Sequence, residues 1–564
     1  MSLTDWLVLF LTLVFILLYG MYKGRGQKDA KSYLLANQEL PWYVVLLGIM
    51  ATQASAITFL SAPGQAYTDG MRFVQYYFGL PLAMIVISVT FIPIFQRLKV
   101  YTAYEYLESR FDKKTRILTS FLFLMSRGLS TGISIYAPSI ILSTILGWNI
   151  YITNILTGGL LLIYTYSGGA KAIAHTQKIQ FLIILGSMAF AGYLLIQQMP
   201  EGITFNDALF IAGKSGKLNV ITTDFDLNDR YNIWSGIIGG FFLALSYFGT
   251  DQSQVGRYIS AKNVRTGRIG LLLNGLVKIP MQFSILLIGA LLFAFFALKP
   301  APVYFNERSY DILEDRHPEI ANQFNEQHNA LQQKQIAISK QLLQERDANS
   351  ANIDQTVAEY KAVQSEIKDL HSTVEDTINE TGISIEKTDT NYIFLYFVQN
   401  TLPKGMIGLL FAVIFLASWG SISAALNSLA SSSYKDIQLR LRYKDHDDKK
   451  QLLHSRLHTL FWAIFSIGVA MFATQMGSLI EAVNILGSLF YGPILGIFLV
   501  AFYYKKINGS NMFISAILAE LSIILIYNLD LISFLWLNVI GAIAVFFFCF
   551  VISLFQQVIT KDER

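Results

Sequence analysis

Gly48-Ile-Met-Ala-Thr-Gln-Ala-Ser-Ala-Ile-Thr58, followed closely by Pro63-Gly64, places small and hydroxyl-bearing side chains inside an otherwise apolar run, 41–62. A helix that crosses hydrocarbon must satisfy every backbone group, so a stretch this polar has to be buried in protein or line a cavity. The reading it favours is a helix broken inside the membrane, whose freed carbonyls can hold a cation. Small residues also let helices pack closely, and for any single serine that is the better reading. A second such stretch, Ala417-Ser-Trp-Gly-Ser421-Ile-Ser423-Ala-Ala-Leu-Asn427-Ser428, supplies hydroxyls at high density on another apolar run, and the pair favours a site.

Outward from these two stretches the chain is mostly apolar. It has 564 residues, 53% hydrophobic and 14% aromatic, with a mean hydropathy of +0.44, which fits a polytopic membrane protein and not soluble domains. Thirteen runs are expected to span: 3–22, 41–62, 73–96, 116–145, 148–167, 172–198, 232–252, 267–298, 404–433, 454–475, 478–503, 510–528 and 531–557. Each can cross about 30 Å of hydrocarbon at helical rise. The first run lacks a small-residue cleavage site and reads as a retained helix rather than a signal peptide. The chain divides into spans one to eight (1–300), a polar insertion (301–390) and spans nine to thirteen (391–564).

Basic residues set the orientation. Lys23, Arg25, Lys28 and Lys31 follow the first span, and Arg97, Lys99, Arg110, Lys113, Lys114 and Arg116 follow the third. Arg257, Lys262, Arg265 and Arg268, then Lys435, Arg440, Arg442, Lys444, Lys449 and Lys450, then Lys505 and Lys506, repeat the bias at every second connection. The N-terminus and 301–390 are therefore expected outside, and Lys561-Asp562-Glu563-Arg564 in the cytoplasm. The sole cysteine, Cys549, reports little about compartment.

The net charge of +4 conceals a contrast: residues 301–390 hold 8 basic and 17 acidic side chains, net −9. Val357, Tyr360, Val363, Ile367, Leu370, Val374 and Ile378 form a coiled-coil-like stripe. Ile320, Phe324, Leu331, Ile338 and Leu342 form a looser one, and Asp347–Asp354 supplies a polar break. The expectation is an antiparallel helical hairpin projecting on the order of 40–55 Å from the membrane. It reads as a solvated spacer, a docking site for another envelope protein, or a lid.

Three cations fall where lipid tails should be. Arg127 and Lys278 each lie about eleven residues inside their spans, roughly 16 Å deep, and no Asp or Glu in spans two to eight is equally deep to neutralise them. An arginine there offers a two-pronged donor to a carboxylate, so an anionic solute is the simplest partner; a structural role, satisfied by helix-end carbonyls, is the plain alternative. Lys178 is shallower and reads first as a lysine reaching for the interface, with an ion-substituting role as the sharper reading. No metal-ligand cluster or nucleophile–base arrangement appears, so an enzyme is not expected, nor a nucleic-acid partner or a cofactor.

Tyr104-Glu-Tyr-Leu-Glu-Ser-Arg-Phe111, Tyr136-Ala-Pro138, Gly168-Gly169 and Thr250-Asp-Gln-Ser-Gln-Val-Gly-Arg-Tyr-Ile-Ser-Ala-Lys-Asn263 stand in an order that resembles the sodium/solute symporter family. That family includes bacterial sialic acid, proline and galactose symporters and animal glucose and iodide symporters. The likeness covers all but 301–390. It implies an all-α bundle of LeuT-type inverted five-helix repeats, spans two to six and seven to eleven, in a membrane, most naturally a bacterial cytoplasmic one. It implies a sodium site from the carbonyls of Ala51, Ala54 and Ala417 and the hydroxyl of Ser421. The chain departs from the pattern at Gly420, where many relatives carry a second hydroxyl. A second sodium site would need a carboxylate where this chain has Gln177, so one sodium per cycle is expected. Solute contacts carried over are Gln53, Ser55 and Thr58 on the broken helix, Gln75 and Tyr76 on the third span, Arg127 and Lys278, with Tyr247 as an inner gate. The expected activity is sodium-coupled import of a small organic solute, foremost an organic anion or carboxylated sugar. A neutral-sugar symporter, a proton-coupled carrier using Lys178, and a membrane sensor signalling through the hairpin are the alternatives.

Overall fold

The computed structural model describes residues 1–24, 30–383, 388–442, 448–473 and 476–562. Arg25, Lys28, Lys444, Glu563 and Arg564 of the charged runs lie outside the described residues. Helix α1 (Leu3–Gly24) is followed by α2 (Trp42–Gln53) and α3 (Ala56–Asp69), the two halves of the polar run. After the split third run (Leu80–Val89 and Phe91–Leu98) come α4 (Lys113–Leu146) and α5 (Ile150–Gln197). Helix α5 covers two expected spans and bends at Gly169 (φ 56°, ψ −178°), a conformation open to glycine. A π turn leads into α6 (Gly240–Thr250), then α7 (Gln252–Ile259) and α8 (Val264–Leu298). The insertion forms α9 (Pro318–Asp347) and α10 (Ile353–Glu380). The chain closes with α11 (Met406–Ser432), α12 (Asp448–Ala470), α13 (Leu479–Tyr503), α14 (Gly509–Asn528) and α15 (Phe534–Asp562).

Among the described residues, nine helices are long and apolar enough to cross a membrane, and shorter apolar helices such as α2 complete the broken runs. Helix α11 is the axle: 94% of its most apolar window is buried, against 33% for α15, whose Ile543, Phe547 and Phe550 face outward as lipid-facing side chains would. Close packing follows from the small residues. A Cβ on Gly128 or Gly132 of α4 would come within 2.7 and 2.5 Å of Trp462 and Val469 of α12.

The Tyr104–Phe111 run has a structural use. Buried Arg116 bonds Asp436 through Nε (2.9 Å) and Nη2 (2.6 Å) and Glu108 through Nη1 (2.6 Å), tying α4 to the segment after α11. Gln252 accepts from the Ala103 N–H (3.0 Å) and donates to the Tyr101 carbonyl (3.0 Å), which joins this connection to the head of α7.

The hairpin is helical and antiparallel, but it does not stand away from the bundle. It lies along one end of it: Gln332 donates to the Phe296 carbonyl (2.8 Å), Arg346 bonds Asp207 (2.6 Å), and Gln364 donates to Ser215 (3.0 Å). Spacing alone could not show this, because the stripe that fits helix to helix also fits the pair to the bundle. Ile338, Leu342, Tyr360 and Val363 join the main apolar core, while Phe324, Leu370, Val374 and Ile378 form a smaller one with Tyr304 and Leu313. The stripe is thus spent inside the protein. At the base, His371 Nε2 lies 3.1 Å from Asp389, which also accepts from the Phe305 N–H (2.6 Å). Burial alone would lower the imidazole pKa, but the Asp389 carboxylate raises it to about 9.

Candidate functional site

The backbone opens at Ala54 (φ −81°, ψ 74°). There the Ser55 N–H donates to the Gln53 carbonyl (3.0 Å) and the Thr58 N–H to the Ser55 carbonyl (3.0 Å). A continuous helix would send those two N–H groups to Ala51 and Ala54, so the carbonyls expected to face a cation are the two that the break releases. Helix α11 packs on α2 and α3 and brings Ser421, whose hydroxyl donates to the Ala417 carbonyl (3.0 Å) and lines a small cavity with Thr52, Gln53 and Ser55.

The missing hydroxyl at Gly420 has a counterpart that sequence reasoning did not find. Gln177 Nε2 donates to the Gly420 carbonyl (2.7 Å) and to Thr52 Oγ1 (3.1 Å), bridging α5, α2 and α11. A Cβ at 420 would lie 3.0 Å from Gln180 Oε1 and 3.5 Å from Gln177 Cγ, so the two glutamines occupy the space that a serine side chain would need. The signal was present as Gln177 and Gln180 one turn apart in an apolar helix.

A larger cavity adjoins the first, sharing Gln53, Ser55, Arg127, Tyr247 and Val483. Thr58, Tyr76, Tyr77, Ala244, Asn484 and Tyr491 also line it. Of the solute contacts expected, Gln53, Ser55, Thr58, Tyr76 and Arg127 reach this space. Gln75 does not: its amide donates to the Tyr231 carbonyl (2.8 Å) and accepts from the Thr222 N–H (3.1 Å), holding the connection before α6. Lys278 stands behind the wall, its Nζ 5.3 Å from the centre of the Tyr77 ring, and Tyr77 rather than the lysine faces the cavity. Lys178 is half-buried and lines neither cavity, so the ion-substituting role has no geometric support here.

Arg127 is 8% exposed, at the junction of the two cavities. The expectation that no carboxylate lies near it is corrected: Asp251, at the end of α6, approaches Nη1 at 3.9 Å. Depth counted along a helix ignores the reach of a long side chain toward a neighbouring helix end. The contact is loose, because Asp251 Oδ1 already accepts from the Ser253 N–H (2.7 Å) and hydroxyl (2.6 Å), and Oδ2 from the Tyr491 hydroxyl (3.0 Å). The guanidinium lies 5.9 Å from the Tyr247 ring centre, Tyr247 packs on Tyr491, and Gln254 donates to its hydroxyl (2.7 Å), which closes this end of the cavity.

The other end is closed by polar groups that sequence reading missed. Glu481 accepts from Arg230 (2.7 Å) and the Tyr231 hydroxyl (2.9 Å) just above Ile480 and Asn484, and from the Gln65 amide (3.5 Å), which in turn accepts from the Ser478 hydroxyl (2.9 Å). A buried pocket with a backbone break at its wall and closures at both ends is the architecture of a secondary transporter.

Residues 33–315 and 376–519 match the sodium:solute symporter family, and the chain belongs to it. It is 24% identical over 555 residues to a sodium/sialic acid symporter of Proteus mirabilis, covering 96% of this chain and 93% of that protein. It is 27% identical to a rabbit (Oryctolagus cuniculus) sodium-dependent multivitamin transporter over 90% of this chain and 67% of that protein. A Xenopus laevis sodium-coupled monocarboxylate transporter is 25% identical over 90% and 68%. The solved structure of a substrate-bound, outward-open sodium-coupled sialic acid symporter superposes with a TM-score of 0.74, at 22% identity, covering 97% of this chain and 96% of that one, which shows the fold. The protein is thus an integral membrane symporter of small organic solutes with sodium as coupling ion, and not an enzyme.

Proposed function

We propose that the solute is an organic anion, its carboxylate received by Arg127 and its remainder by Gln53, Ser55, Thr58, Tyr76 and Asn484 in the larger cavity. The observation that carries this reading is the buried Arg127, facing both cavities, with a carboxylate neighbour at 3.9 Å whose oxygens are already engaged. Such a guanidinium keeps donors free for a second carboxylate. Monocarboxylates and carboxylated sugars both suit the space.

One sodium ion, held by the carbonyls of Ala51, Ala54 and Ala417 and the Ser421 hydroxyl, ties α11 to the broken helix and favours the state open toward the hairpin face. Solute then bridges the broken helix to Arg127, and the two closures exchange. By the basic connections, the hairpin face is outside and import runs toward the cytoplasm. Gln177 supplies a neutral amide where a second ion would need a carboxylate, which supports a single sodium.

The test is uptake into proteoliposomes of labelled sialic acid, pyruvate, uronates, neutral sugars and amino acids under a sodium or a proton gradient. Sodium-driven uptake of a carboxylated solute supports the reading. Uptake confined to neutral solutes, or driven by protons alone, rejects it.

A further inference from the structure

A third, small cavity lies beyond the central pair, walled by Leu34, Ala170, residues of α7 and the last turns of α11. Ser428 in its wall lies seven residues past Ser421, roughly 10 Å further along α11 toward the basic connections. Its distinguishing member is Arg257, 7% exposed. Among the described residues no carboxylate pairs with it and no hydrogen bond takes up its guanidinium, and the charged neighbour it feels is a second cation, Arg127. Arg127 has Asp251; Arg257 has nothing equivalent.

The neutral surroundings follow from particular residues. A Cβ on Gly48 would touch both Gln177 Oε1 (3.6 Å) and Arg257 Cδ (3.7 Å), so an uncharged amide stands on the side where a carboxylate would have cancelled the charge. Gln252 is spent on the Ala103 and Tyr101 backbone, and Ser253 on Asp251. What remains open in the wall is the Ser431 hydroxyl, a donor, and Asn427 Oδ1, an acceptor suited to a hydroxyl or a water on the ligand. A buried cation without a partner is costly, and a ligand of opposite charge relieves that cost.

We propose that this inner cavity is an anion-binding subsite in which Arg257, with Ser431, receives a small monovalent anion. Two sources share that chemistry: the carboxylate of the solute on its way out of the central pocket, and an inorganic anion such as chloride. The first source rests on the organic-anion reading above; the second does not.

The experiment uses the purified full chain in detergent at fixed sodium, with isethionate as the bulky background anion, titrated with acetate or with chloride while the unfolding midpoint is read. A ligand that binds the folded state raises that midpoint with the logarithm of its concentration. The expected result is such a rise in wild type, its loss in Arg257→Gln, and its retention in Arg127→Ala, which empties only the central site. Asn427→Asp places a fixed carboxylate in the wall at almost no change in volume and is expected to abolish the response too, so the test survives if Arg257→Gln does not fold. A response to acetate alone assigns the subsite to the departing solute, and an equal response to chloride assigns it to an inorganic anion. The inference is overturned if wild type responds to neither, or if both variants respond as wild type does. A protein that fails to transport any anion yet keeps the Arg257-dependent chloride response rejects the proposed solute and leaves this subsite standing.

Discussion

Replacing Gln177 by leucine removes the amide that donates to the Gly420 carbonyl at 2.7 Å and to Thr52 Oγ1 at 3.1 Å. Leucine has nearly the same volume, so the change deletes hydrogen bonds without opening a hole. Each neutral hydrogen bond contributes about 1 kcal/mol net, so losing the two together costs about 2 kcal/mol. These bonds fix the register of α11 against α2, the two helices that carry most of the proposed sodium ligands. If the full loss falls on ion binding, sodium affinity drops roughly 30-fold at 1.4 kcal/mol per decade. The assay is half-saturating sodium for solute uptake, paired with a sodium titration of the unfolding midpoint so that binding is separated from turnover. A half-saturating concentration within about twofold of wild type, in a folded variant, would refute the bridging role.

With a single sodium ion, as proposed from the neutral amide of Gln177, sodium dependence of uptake should be hyperbolic, with a Hill coefficient near one; sigmoid dependence would contradict it. Glu481→Gln loosens the closure made with Arg230 and Tyr231, and a cysteine placed at Asn484 should then react faster with an aqueous thiol reagent. A Cβ on Gly64 would lie 2.0 Å from the Thr390 carbonyl, so Gly64→Ala should lower the unfolding midpoint by an amount worth about 1–3 kcal/mol, the usual cost of overpacking. His371 is raised in the folded protein to about 9. Its contribution to hairpin docking is therefore complete below its unfolded value of about 6.5 and lost as pH rises through 9. Hydrogen exchange across 301–390 should accelerate over that window in wild type, and His371→Gln should remove the pH dependence.

The broken helix was legible because its two causes are local: small polar residues at 51–58 and the absence of any lipid-facing need for continuity there. The hydroxyl-rich face of α11 was legible for the same reason. What failed were statements about azimuth and reach. Gln75 stands next to Tyr76, yet one amide turns to the 222–231 connection while the other ring faces the cavity, and nothing in local composition separates them. Lys278 has the expected burial, but Tyr77 intervenes. Asp251 lies too near a helix end to count as deep, and only the packing of α13 against both α4 and α6 brings Arg127 to it. The hairpin's stripe fixed its helices and their pairing, while its resting place along the bundle depends on contacts such as Arg346 with Asp207, 139 residues away in sequence.

Arg127 is proposed to receive the solute's carboxylate while sodium binds elsewhere, at the helix break. This division of roles is tested most directly by comparing wild type and Arg127→Ala in the same proteoliposomes for sodium-driven uptake of a labelled carboxylated solute, with the sodium-induced shift in unfolding midpoint measured in parallel. Sodium-driven uptake in wild type, its loss in the variant and an unchanged sodium shift in both are the expected results. Normal anion uptake by Arg127→Ala, or loss of the sodium shift together with uptake, would contradict that division.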